Sequence, residues 1–149
     1  MVDTNNMYII IDANVNGITV SEFANIINLT AINHDGITIE VENKGGLVFN
    51  GAKLTAVAYN DEASATVEYT VIVMGDTSAN GKNNVTDVVG MVEIMSNRIN
   101  ETGKEVDPIE YMAANIIATS DFNVVDIVAL IGKIMNTETY KSPLPTLKA

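Results

Sequence analysis

The sequence predicts an α+β chain in two parts. A β-rich N-terminal module of order β-α-β-β-β is expected over residues 1–74. An all-α module of paired loop–helix motifs follows over 75–137, then a tail over 138–149. Three observations predict this. Apolar residues before position 75 run mostly with the period of strands. Those after it recur at helical spacing. The second part also repeats itself at a spacing of 39 residues.

The elements follow in order. "MYIIIDA" (7–13) is a short apolar run that suits a strand. "VSEFANIINL" (20–29) places Val20, Phe23, Ile26 and Ile27 at helical spacing, with Thr19 or Ser21 available as the N-cap. "GITIEVEN" (36–43) alternates Ile37, Ile39 and Val41 against polar residues, the pattern of a half-buried strand. "KLTAVAYND" (53–61) and "SATVEYTVIVMG" (64–75) are strands joined by a polar turn at Asn60–Glu62. In the second part, 87–99 places Val88, Met91, Val92, Met95 and Ile99 on one core stripe. "DPIEYMAAN" (107–115) opens with an Asp cap and Pro at the first helical position. The helix over 126–136 places Ile127, Leu130, Ile131 and Ile134 on one stripe. Pro143 and Pro145 rule out a helix through the tail.

Composition narrows the function. Hydrophobic residues make up 47% of the 149, and aromatics 5% with no Trp, so an aliphatic core is expected. The net charge is −11, and neither half is basic, which argues against nucleic acid and an anionic membrane surface as partners. No Cys is present, which excludes disulfides, thiolate catalysis and zinc–thiolate sites. No apolar run approaches the length of a membrane span. "MVDTNNMYIIID" lacks a basic start and a cleavage motif, so a secreted form would be a mature fragment or a piece of something longer.

The repeat lays "NVTDVVGMV" (84–92) over "NVVDIVALI" (123–131). Each copy is a loop ending in Asp, followed directly by an amphipathic helix. Calcium takes six to eight oxygens from alternate positions of a 12-residue loop, with Gly sixth for the sharp turn. "DTSANGKNNVTD" (76–87) meets that pattern. Asp76 stands first, Ser78 third, Asn80 fifth and Gly81 sixth. Lys82 offers its carbonyl at the seventh place, Asn84 stands ninth and Asp87 closes at the twelfth. A polar turn capping the next helix would use the same residues, but the repeat and the full set of oxygens favour metal.

A calcium loop with Asp at twelve, a helix, a connector helix, and then a second such loop and helix resembles a dockerin module, over about residues 75–137. Dockerins are EF-hand-like modules of two F-hand repeats that plug into cohesin domains in cellulosomes and related surface assemblies. "YTVIVMGD" resembles the strand-then-"GD" entry of that family, and "YMAAN" (111–115) sits where its connector helix ends. The first half resembles, by pattern and position, the small β-rich X modules that precede dockerins. The resemblance implies a non-catalytic module that docks a larger secreted bacterial protein onto a cohesin, outside the cell or at its surface. Polysaccharide degradation is the implied setting. It further implies that the pair before each closing Asp reads the cohesin: Val85 and Thr86 in one copy, Val124 and Val125 in the other.

The residues themselves add to this. Val85, Val89, Val124, Val125 and Val128 lie off the main apolar stripes. They either pack on another helix or the strand module, or form an exposed apolar patch of the kind that marks a partner surface.

The second loop departs from the pattern. It runs "NIIATSDFNVVD" (115–126), with Asn115 first, Ile117 third, Thr119 fifth and Ser120 in place of Gly. It is expected to stay empty, so one calcium ion is expected, in loop 76–87. That loop has only two carboxylates, which suggests a dissociation constant of roughly 10⁻⁴–10⁻³ M. "DANVNGITVSEF" (12–23) begins like a calcium loop, but Phe23 stands twelfth, and a strand-to-helix turn is expected there. The single His34 is expected in a solvated turn. Catalysis by paired carboxylates is the rival from another class, but no aromatic sugar platform or His constellation accompanies it. The remaining alternative is a structural or adhesive calcium-stabilised module of a bacterial surface protein that binds no cohesin.

Overall fold

A computed structural model of the chain describes residues 1–27, 36–100, 106–117 and 121–135, without the side chains of 98–100. His34, Thr119, Ser120 and the tail expected over 138–149 lie outside the described residues. The elements are β1 (Val2–Asp3), β2 (Tyr8–Ile11), α1 (Val20–Ile26), β3 (Ile37–Val41), β4 (Lys53–Tyr59) and β5 (Ser64–Val73), followed by α2 (Val85–Asn100), α3 (Pro108–Ala114) and α4 (Val124–Ile134). Thr19 caps α1 in a capping box with Glu22, and Asp107 caps α3 with Pro108 behind it.

The strands form one mixed sheet of order β1-β2-β5-β4-β3. β2 runs parallel to β5, from Tyr8 opposite Thr70 to Ile11 opposite Val73, and the other pairings are antiparallel. Side chains alternate across a strand. Ile9, Ile11, Val71 and Val73 therefore share a core with Phe23 of α1, Ile18, Val48 and Leu54. Ile10, Ile72 and Met74 share a second core with Ala113, Ile109 and Met112. Both faces of the β2–β5 pair are covered, which is why "YIII" reads as an unbroken apolar run. Phe23 is wholly buried, and truncating it to Ala would cost about 3–5 kcal/mol.

This arrangement corrects the expected fold class. The protein is an α+β fold, with a five-stranded mixed sheet and four helices among the described residues, not a β-rich module followed by an all-α one. The reason lies in α3. Ala113 packs on the sheet, while its neighbour Ala114 packs with Met91, Ile94, Ile116, Phe122, Ile127 and Leu130 in the helical core. One short helix thus joins both layers. Hydrogen bonds tie the same junction: the Gly75 N–H donates to the Ala113 carbonyl at 2.8 Å, and the Asn50 side chain donates to the Ile109 carbonyl at 3.2 Å. A nearly buried ion pair, Lys133 Nζ to Asp12 Oδ1 at 2.6 Å, fastens α4 to the end of β2.

Two residues assigned to core stripes also differ. Val92 is 50% exposed and Ile131 is 39% exposed. The helical core needs only Met91, Ile94, Ile127, Ala129 and Leu130 from α2 and α4, with Val88, Met95 and Ile134 at its margin. Val92 and Ile131 fall on the rim beyond it.

Candidate functional site

Loop 76–87 begins where β5 ends. Asp76 and Asp87 are both wholly buried. Asp76 Oδ1 accepts the Asn80 N–H, and Oδ2 accepts the N–H groups of Gly81 and Asn50, each at 2.9 Å. Those bonds fold the loop around its first residue. The turn passes through Ala79 at φ 54° and Gly81 at φ 83°, the left-handed region that Gly enters without strain.

Asp87 closes the loop from the start of α2. Its Oδ1 accepts the Ser78 N–H at 2.9 Å and the Ser78 hydroxyl at 2.7 Å, and its Oδ2 accepts the Asn84 N–H at 2.8 Å. Asn84 Oδ1 in turn accepts the Thr86 N–H, which satisfies a free donor of the first helical turn.

The second copy reproduces three of these bonds. Asp126 Oδ1 accepts the Ile117 N–H, Asp126 Oδ2 accepts the Asn123 N–H, and Asn123 Oδ1 accepts the Val125 N–H, all at 2.9 Å. The duplication is therefore one of hydrogen-bond function as well as sequence. The copies part at three places that matter, the first being Ile117, which has no hydroxyl to match the Ser78 bond to Asp87. Asn115 opens the second loop as the C-cap of α3, so no buried carboxylate stands there. At the eighth place, Phe122 packs in the helical core with its ring 6.1 Å from Tyr111. Its counterpart Asn83 instead donates its N–H to the Val15 carbonyl at 3.1 Å. The Asn83 side-chain amide is buried against Gly75 with neither end hydrogen-bonded.

Of the other proposed ligand residues, Ser78, Asn80 and Lys82 are exposed, and Asn84 is half-buried. Burial pushes the Asp76 carboxyl above the usual carboxylate range, its three amide bonds pull the other way, and the charge of Asp87 adds to the rise. Neither carboxylate takes part in an ion pair among the described residues. Two buried acids that repel each other, with the Ser78 hydroxyl on Asp87 and the side-chain oxygens of Asn80 and Asn84 accepting the Lys82 and Thr86 N–H groups, are suited electrostatically to a divalent cation. Among the described residues no group of three or more His, Cys, Asp or Glu comes together, so an ion here would rest on two carboxylates and neutral oxygens.

The valines stand outside the cores. Val85 is 68% exposed and its repeat mate Val124 is 58% exposed. Thr86, Val125, Val89 and Val128 are exposed as well. Val92 and Ile131, repeat mates in their turn, extend the row on each helix, and Met135 continues it beyond α4. Sequence reasoning missed this extension. The signal was the spacing of Val85, Val89 and Val92, which is itself a helical stripe.

Comparison with protein-family models, with curated proteins and with solved structures yields no match. No helix among the described residues is long and apolar enough to cross a membrane.

Proposed function

We propose that this chain is a non-catalytic protein–protein interaction module that docks a larger secreted bacterial protein onto a cohesin domain, with calcium in loop 76–87. One observation carries the reading. Each repeat presents a row of apolar side chains to solvent at matching positions, Val85, Val89 and Val92 on α2 and Val124, Val128 and Ile131 on α4. Two such rows in an acidic chain cost solubility and are the kind of feature a partner surface explains. The dockerin resemblance of residues 75–137 supplies the partner class, and the buried Asp76–Asp87 pair supplies the reason for calcium.

The test is capture of a panel of cohesin domains by the full chain, in calcium and in chelator. The reading expects at least one cohesin to bind in calcium and to be released by chelator. Failure of the whole panel would favour the structural or adhesive reading. That second reading has its own support: the bond from Asn50 to Asp76 makes the loop a fastening between the sheet and the helices.

A further inference from the structure

We infer that loop 76–87 is a composite metal site, held in its binding shape by residues 15–17 and 47–50 of the strand-rich half, with Asn50 as its positioning residue. The inference rests on the calcium reading above and extends it to residues that carry no metal ligand.

Five contacts place the strand-rich half against the loop. The Asn50 N–H donates to Asp76 Oδ2 at 2.9 Å. Asn50 is itself fixed, because its Oδ1 accepts the Val73 N–H at 3.1 Å and its Nδ2 donates to the Ile109 carbonyl at 3.2 Å. The Val15 carbonyl accepts the Asn83 N–H at 3.1 Å. Lys44 Nζ donates to the Ala79 carbonyl at 2.6 Å. Gly17 lies so close that a Cβ there would stand 2.2 Å from the Gly81 carbonyl oxygen. Gly81 is equally confined, since a Cβ on it would stand 2.9 Å from Leu47 Cβ and 3.1 Å from the Val48 carbonyl oxygen.

The second loop shows what the cradle replaces. Its eighth residue, Phe122, turns into the helical core. In the first loop the Asn83 side chain lies against Gly75 instead, and its backbone N–H is held by the Val15 carbonyl of the strand-rich half. Fixing a residue's backbone costs conformational entropy. A loop already fixed at Asp76, Ala79, Gly81 and Asn83 meets that cost during folding, and binding an ion then requires less ordering. With two carboxylates, the loop depends on this more than a richer one would.

The test compares full-length wild type with Gly17→Ala, Asn50→Ala and Gly45→Ala. Gly17→Ala drives a Cβ into the Gly81 carbonyl. Asn50→Ala keeps the N–H that holds Asp76 but removes the side chain that fixes it in place. Gly45→Ala is the control, because Gly45 also has a positive φ, of 58°, but no atom within 4 Å of an added Cβ. Calcium affinity is read by calorimetry, and amide hydrogen exchange is read in chelator. The inference expects both loop variants to bind calcium at least tenfold more weakly, with Gly45→Ala like wild type. It expects the Asn80 and Gly81 amides to exchange at least tenfold faster in both, with β2 and β5 amides unchanged apart from Val73 in Asn50→Ala, which loses its acceptor. Wild-type affinity and wild-type exchange at Asn80 and Gly81 would overturn it. Loss of protection across β2 and β5 in both variants would also overturn it, by reducing the role to fold stability. Wild type that binds no calcium would overturn the underlying reading instead. Exchange in chelator separates that failure from failure of the cradle.

Discussion

The backbone N–H of Asn50 reaches Asp76 Oδ2 at 2.9 Å across 26 residues of chain, so the first residue of the acidic loop is bonded to the sheet layer before any ion is considered. The carboxylate is buried, its bonds are to backbone amides, and the charge that acts on it is that of another acid, Asp87. Such a group is poised to respond to a cation and to pH.

The pH response has a defined sign. Burial, helped by Asp87, raises the Asp76 pKa in the fold above its unfolded value. With calcium withheld, ionised Asp76 therefore subtracts stability. That loss is absent below the ordinary carboxylate pKa and complete above the raised one. Calcium binds the ionised form, so its affinity should fall on acidification through the raised pKa, at a higher pH than an unperturbed Asp would set. Calorimetric titrations over a pH series check this. Affinity that holds level down to the ordinary carboxylate range would count against it.

Val124→Asp with Val125→Asp should abolish cohesin binding and leave the fold intact. Both side chains are exposed, and both lie in the first turn of α4, where a negative charge meets the positive end of the helix dipole. The thermal midpoint should stay level or rise slightly while binding is lost. Retained affinity would place the reading surface elsewhere, with Val85, Thr86 and Val89 of the first copy the next to change.

Asp126→Ala should leave calcium binding near wild type and destabilise the protein by about 1–2 kcal/mol. Asp126 is buried and holds the N–H groups of Ile117 and Asn123, so its loss removes a cap and strands two donors. Denaturant unfolding reads the loss, and a calcium titration of the same variant reads the binding. A large fall in calcium affinity would mean that the second loop also serves the ion.

The repeat was legible because its hydrogen-bond scheme demands particular side chains. A closing Asp and an Asn three residues before it are needed in each copy, and both appear in the letters of 84–87 and 123–126. Strands were legible where one face is covered, as the alternation of Ile37, Ile39 and Val41 on β3 illustrates. The joining of the layers was not. α3 is short, and Ala113 and Ala114 are too small to mark two faces, so nothing in "YMAAN" announced a helix shared by two cores. The parallel β2–β5 pairing was hidden for a similar reason, since a run buried on both faces has no period to read. Asn50 left no signal either, because it reaches Asp76 through its backbone.

Calorimetric titration of the full chain with calcium, repeated on Asp76→Ala, tests the account most directly. It predicts one ion per wild-type chain, bound in the roughly 10⁻⁴–10⁻³ M range of lean extracellular sites, and no binding to Asp76→Ala. Two ions per chain, none, or binding that survives in Asp76→Ala would contradict it.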